Sequence, residues 1–185
     1  MYIVMGMPGA GKTTVLKKAM EKKKGYEVVN YGDMMVEIAQ KKFKVKNRDE
    51  MRKLDFEKQK SLQLEVEKRL IKLSHTIDRI ILDTHCSIKT PHGYLPGLPM
   101  RLLEKLKVDG LVLISADIDE IIRRRASDET RIRDKEEKHE LEEHDFFNRA
   151  MLSAYAIMCG APAIVIMNHD GKVEEAAERL ASILK

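Results

Sequence analysis

The 185-residue chain contains no tryptophan, only two cysteines and five prolines, and aromatic residues make up just 5% of it. Cys86 and Cys159 lie far apart with no CxxC spacing, which supports neither a disulfide framework nor a four-ligand zinc site. A reducing, cytoplasmic setting is therefore expected. No apolar run approaches the about 20 residues needed to cross a bilayer, so no membrane association is expected. Neither sign of charge dominates: 34 basic and 30 acidic residues leave a net +4. That excess suits an anionic small ligand and is too weak to imply nucleic acid. The opening "MYIVMGMPG" lacks a basic n-region, an apolar h-region and a small-residue cleavage site, and is expected to belong to the fold.

What is present is charge and pattern. Charged residues reach 35%, which fits a heavily ion-paired surface. The length suits one domain, and no repeat, low-complexity segment or linker divides it. Short apolar runs recur as "YIVM" (2–5), "YEVV" (26–29), "RIILD" (79–83), "GLVLISA" (110–116) and "AIVIMN" (163–168), each followed by a polar turn and helix-compatible sequence. This alternation predicts an α/β fold, an open five-stranded parallel sheet flanked by helices. The stretch 31–74 is large for a plain crossover and reads as an inserted helical subdomain. In such sheets ligands bind beyond the carboxyl ends of the strands.

After the first run comes "GMPGAGKTT", which satisfies GxxxxGK[ST] between a strand and a helix. Glycines let backbone N–H groups curl around phosphate oxygens, and the helix N-terminus adds partial positive charge. Gly6, Met7, Pro8, Gly9, Ala10, Gly11, Lys12, Thr13 and Thr14 are thus expected to hold the phosphates of ATP or GTP, with Lys12 reaching the β and γ phosphates. The Thr13 hydroxyl is expected to ligate Mg²⁺, and Asp83, ending "RIILD", to hold the same ion through water.

A second anionic substrate would need its own clamp. Tyr31, Gly32 and Asp33 follow the second strand, and "NRDEMRKL" offers Arg48, Arg52 and Lys53 for bidentate contacts to a monophosphate. Downstream, "IIRRRASDETRIRD" gathers Arg123, Arg124, Arg125, Arg131 and Arg133, the makings of a lid over the transferring group, with 127–138 as its mobile segment. The stretch "DTHCSIKTPHGYLPGLP" (83–99) reads as a stiff polar loop at the reaction centre. In it Thr84, His85, Ser87, Lys89 and Thr90 face the acceptor, Lys89 being the phosphate candidate.

"GMPGAGKTT", "VNYGDMM", "NRDEMRKLD", "DTHCSIKTPHGYLPGLP" and "DETRIRD", in this order, resemble the archaeal type of adenylate kinase, a branch of the nucleoside monophosphate kinases. The resemblance spans the whole chain. It implies the reaction ATP + AMP ⇌ 2 ADP, a P-loop kinase core with a helical NMP-binding insertion and a short lid, and a homotrimer. It further implies that residues 6–14 hold ATP, that Tyr31, Gly32, Asp33 and Arg52 lie along the AMP site, and that Arg124, Arg131 and Arg133 serve the lid. Arg124 would also stack on the adenine, beside backbone groups of Asn168 to Gly171. Zinc-lid relatives carry four clustered Cys or His ligands that this chain lacks, so no structural zinc is expected. Two other readings fit the same motifs: a kinase for CMP, UMP or deoxynucleotides, and an ATP-driven RNA-binding assembly factor.

Overall fold

The computed structural model describes residues 1–90, 92–127 and 137–185, and the side chain of Arg52 lies outside that description. The sheet consists of β1 (Tyr2–Gly6), β2 (Glu27–Asn30), β3 (Ile80–Thr84), β6 (Gly110–Ser115) and β7 (Ala163–Met167). All pairings are parallel, in the order β2-β3-β1-β6-β7. β1, β3 and β6 are buried along their whole length. Helices cover both faces of these strands, which is why their sequences are continuous apolar runs rather than alternations.

The period of two still decides which face each side chain enters. Ile3, Met5, Leu82, Leu111 and Leu113 share one core with residues of α2 (Tyr31–Phe43), α4 (Phe56–Thr76), α5 (Met100–Leu103) and α7 (Lys138–Cys159). Tyr2, Val4, Ile81, Val112 and Ile114 enter the other core, against α1 (Lys12–Lys22) and α8 (Val173–Ile183). The amphipathic α8 contributes Ala176, Ala177 and Leu180 to that core.

Between β2 and β3 the chain forms α2, α3 (Arg48–Arg52) and α4. Each starts on a side-chain cap: Asn30 accepts from the Asp33 N–H, Asn47 from the Glu50 N–H and Asp55 from the Lys58 N–H, all at 2.9 Å. Ala39, Met51 and Leu62 form a small core of their own. Met34, Val66 and Leu70 of the same helices pack into the main core, so these helices grow out of the sheet rather than hang from it.

The stretch 83–99 differs from the loop expected of it. Asp83 and Thr84 complete β3, and Ser87–Thr90 (β4) pairs antiparallel with Gly93–Pro96 (β5). Tyr94 of β5 stacks on Phe147 of α7, with ring centroids 4.4 Å apart. The hairpin is a small second sheet docked on α7. Of the expected lid, residues 128–136 lie outside the described residues, so the two ends of the segment are what is seen. Ser127 closes α6 (Ile118–Ala126) and Glu137 caps α7.

Candidate active site

The carboxyl ends of β1, β2, β3, β6 and β7 bring Gly6, Asn30, Thr84, Ser115 and Met167 to one edge of the sheet. The glycine-rich loop leaves β1 there. Gly9 and Gly11 have φ of 97° and 81°, values that a side chain would oppose, and Gly11 is the N-cap of α1 with no side-chain cap hydrogen bond. The N–H groups heading α1 therefore face outward as donors, where the helix dipole also favours an anion. The loop is fixed from outside as well. Asn168 Nδ2 donates to the Ala10 carbonyl at 2.8 Å, and Arg125 Nε to the Pro8 carbonyl at 2.8 Å.

Lys12, on the first turn of α1, reaches across to β3. Its ammonium pairs with the Asp83 carboxylate and donates to the Thr84 carbonyl at 2.6 Å. Asp83 also accepts from Asn30 Nδ2 at 2.7 Å, since the strand register sets Asn30 opposite Asp83. Burial lowers the Lys12 pKa against the opposing pull of Asp83. His85 follows directly, its Nδ1 3.2 Å from the Gly6 carbonyl. Burial, with the Lys12 charge adding to it, pushes the imidazole pKa down to about 4. The ring is thus neutral at pH 7. Because Nδ1 faces a carbonyl it carries the proton, which leaves Nε2 as an acceptor.

Thr13 is exposed beside Lys12, and Asp83 is buried. A carboxylate has about four lone-pair sites, so the bonds from Lys12 and Asn30 leave Asp83 capacity for a metal-bound water. A hydroxyl and a carboxylate are the oxygen donors that Mg²⁺ takes, so these residues fit the ion.

On the α2 side, Arg48 Nη2 lies 2.5 Å from Asp33 Oδ1. The guanidinium rests over Gly32, where a Cβ would come within 3.0 Å of it. The Arg48 charge depresses the pKa of both Lys12 and His85, so it acts on the same centre. Tyr31 is placed otherwise than its neighbours. It is 6% exposed, its ring lies in the main core, and its hydroxyl has no hydrogen-bond partner among the described residues. Burial and nearby Glu67 raise its pKa to about 12.

Lys89 and Ser87 also point away from the expected direction. Lys89 Nζ pairs with Glu140 of α7 at 2.8 Å, and Ser87 is buried against α7. The reason is the hairpin, which turns this stretch onto α7 instead of leaving it open over the centre. Lys53 is exposed at the end of α3. The Arg52 side chain and Arg131 and Arg133 lie outside the described residues.

The arginine run divides its work. Arg123 and Arg124 both bind Asp170, at 3.0 and 2.7 Å, and Arg124 Nη2 donates to the Asn168 carbonyl at 2.8 Å. Arg124 thus stands on α6, ahead of the expected lid segment. It lines a cavity of about 210 Å³ with Gly11, Thr14, Asn168, His169 and Asp170. Asn30 escaped the sequence reading, and Arg125 entered it only among the lid arginines. Asn30 carries a signal, because an Asn just after an apolar run and three residues before an Asp reads as a helix cap; nothing local marks Arg125 as the ligand of a loop carbonyl.

A parallel sheet of this order, with a GxxxxGK[ST] loop between β1 and α1 and a buried aspartate beside its lysine, defines a P-loop nucleotide-binding protein. Residues 5–142 match the family described as an AAA domain. An adenylate kinase from Methanopyrus kandleri is 48% identical over 100% of this chain and 98% of its own length. Adenylate kinases from Methanothermobacter thermautotrophicus and Methanocaldococcus jannaschii are 46% and 44% identical, over 99% of this chain and 98% and 97% of theirs. The chain belongs to the adenylate kinase family. Among solved structures, shikimate kinase from Acinetobacter baumannii in complex with shikimate superposes with a TM-score of 0.61 at 15% identity, over 98% of this chain and 90% of that one, a likeness of fold.

Proposed function

We propose that the protein is an adenylate kinase that reversibly transfers the γ-phosphoryl group of ATP to AMP, giving two ADP. The observation that carries this reading is the pair of cations at one centre: Lys12 held by Asp83, and Arg48 held by Asp33. A hydrolase has only water to position, whereas a kinase must hold a second anion. Phosphoryl transfer asks little covalent chemistry of the protein. Alignment, charge neutralisation and exclusion of water carry it.

In this reading residues 6–14 hold the ATP phosphates, and Lys12 exchanges Asp83 for the β and γ oxygens. Thr13 would hold Mg²⁺ directly and Asp83 through water, and the ion supplies charge neutralisation between the phosphates. Gly32, Asp33 and Arg52, with Arg48, border the AMP phosphate, and the helices of 31–74 form the AMP-binding part. Arg124 supports the adenine of ATP from α6, while Arg131 and Arg133 of the 127–138 segment close over the transferring group. Lys89 acts through Glu140 and Tyr31 through the core, each behind the site rather than on the substrate. The homotrimer implied by the resemblance and the cytoplasmic setting expected from the lone cysteines belong to the same reading. Ile157 at 83% and Phe146 at 68% exposure on α7 are apolar surface that a subunit contact would cover.

The test is ADP formation from ATP with AMP, CMP, UMP and deoxynucleoside monophosphates in turn, with and without Mg²⁺. Preference for AMP is expected. Faster turnover with another monophosphate reassigns the acceptor, and ATP hydrolysis unaffected by AMP, with salt-sensitive RNA binding, overturns the kinase reading. Mass in solution tests the trimer.

A further inference from the structure

The segment that follows Asp83 carries two groups of the reaction centre, the Thr84 carbonyl that accepts from Lys12 and the His85 ring on Gly6. Thr84 is the last residue of β3, and His85 lies beyond it, in the turn before β4 begins at Ser87. Something else must hold the turn, and the structure places α7 there.

Asn148 of α7 is 1% exposed. Its Oδ1 accepts twice from one residue, from the Ser87 N–H at 3.1 Å and the Ser87 hydroxyl at 2.6 Å. Its backbone carbonyl accepts from the Cys86 thiol at 3.1 Å. About two helical turns further on, the Tyr155 hydroxyl donates to the Cys86 carbonyl at 2.8 Å and accepts from the Leu98 N–H at 3.4 Å. On the far side of the turn the Gly97 N–H donates to the same Cys86 carbonyl at 2.9 Å, and a Cβ on Gly97 would collide with the His85 carbonyl. The turn 84–87 is thus enclosed between Gly97 and α7.

The mount itself is fixed independently. Asp145 of α7 accepts from Ser115 at the end of β6 at 3.0 Å, and Glu140 binds Lys89. A helix tied to β6 and to the hairpin is a rigid support, and reacting groups need positions held to a fraction of an ångström.

From this geometry we infer that Asn148 is a positioning residue for phosphoryl transfer: through Ser87 it holds the turn that presents the Thr84 carbonyl to Lys12 and sets the His85 imidazole against the Gly6 carbonyl. The inference rests on the kinase reading given above. Asn148 touches neither nucleotide in this account; it acts through the turn. Its loss is therefore felt in turnover more than in the binding of either substrate.

Three variants of the full chain test this: Asn148→Ala, Asn148→Asp, which still offers an acceptor oxygen to Ser87, and the milder Ser87→Ala, which keeps the backbone bond. At a temperature well below each melting point, Asn148→Ala is expected to lower kcat about tenfold or more with KM for ATP and AMP within about twofold. Asn148→Asp should recover part of that loss, and Ser87→Ala should fall between wild type and Asn148→Ala. Amide hydrogen exchange without nucleotide should quicken in Asn148→Ala over residues 84–98 and stay unchanged over 110–116. Wild-type kcat in Asn148→Ala, exchange that rises evenly along the chain, or an Asn148→Asp no better than Asn148→Ala would overturn the assignment. Should Asn148→Ala fail to fold, Ser87→Ala decides alone, by lowered kcat or by wild-type kcat. Absence of AMP phosphorylation in the wild type would count against the kinase reading instead, while the exchange pattern still judges the clamp.

Discussion

Asn30 and Asp83 stand opposite one another on β2 and β3, and both ends of the Asn30 amide are in use: Nδ2 donates to Asp83 at 2.7 Å while Oδ1 accepts from the Asp33 N–H at 2.9 Å. One side chain thus starts α2 and steadies the buried carboxylate that holds Lys12. A cap needs only an acceptor, whereas the Asp83 contact needs a donor.

That division gives the first prediction. Asn30→Asp keeps the cap but replaces the donor with a like charge beside buried Asp83, so it should melt below Asn30→Ala and lose more turnover than it. Asn30→Ala should lose about 1 kcal/mol of stability with the cap. Melting curves and steady-state rates on both variants check this, and an Asn30→Asp that is the more active of the two would refute it.

Lys12 supplies the second. Its ammonium is pre-set on Asp83 and the Thr84 carbonyl, close to the head of α1. Lys12→Ala should reduce phosphoryl transfer by about a hundredfold or more, because charge developing on the phosphates loses its nearest cation. Asp83 would then lack its main partner, so a modest fall in melting temperature should accompany the loss. Turnover within a few fold of wild type in a folded variant would remove Lys12 from the mechanism.

The Arg48 and Asp33 pair supplies the third. The two side chains are 40% and 75% exposed, so the bond between them contributes at most about 1 kcal/mol. A phosphate dianion can displace so weak a partner. Arg48→Ala should raise the KM for AMP by about tenfold or more and leave the KM for ATP near its original value. Asp33→Asn, by removing the competing carboxylate, should lower the KM for AMP by no more than about fivefold. Initial rates with each nucleotide varied separately measure both, and equal shifts for ATP and AMP would show that the pair does not belong to the acceptor side.

How far these features were legible in the sequence depends on how local they are. β1, β3 and β6 could be read to within a residue, because burial on both faces writes them as unbroken apolar runs. The phosphate loop was legible for a similar reason, since its glycines, lysine and threonine serve one short turn. The hairpin inside 83–99 was not, because "SIKT" and "GYLP" are too short to carry a period of two and their prolines and glycines read as loop. Tyr31 misled by adjacency. It sits beside Gly32 and Asp33 in sequence, but helical phase puts its ring with Met34 in the core. The pairings Arg48 with Asp33, Lys89 with Glu140 and Ser87 with Asn148 arise from packing between distant segments, which no local pattern records.

His85 supplies the last prediction, through pH. In the unfolded chain its imidazole titrates near 6.5, and in the folded chain near 4, with burial the main cause and Lys12 the next. Between those values the unfolded state binds more protons, so stability rises with pH across the window. The contribution is complete above about pH 6.5 and is lost as pH falls through about 4. A shift of this size is worth on the order of 3 kcal/mol across the window. His85→Gln keeps a polar side chain but does not titrate, so the difference in unfolding free energy between wild type and variant isolates the ring from carboxylates that titrate nearby. That difference should change steadily in favour of the wild type from pH 4 to 6.5 and stay constant from 7 to 8. The pH dependence of kcat should likewise show no His85 inflection between 6 and 8, where the ring is already neutral. Denaturant titrations at half-unit steps make the measurement. Parallel stability curves for the two proteins would mean that the folded ring titrates as it does in water, and that neither its burial nor its neighbour Lys12 governs its charge.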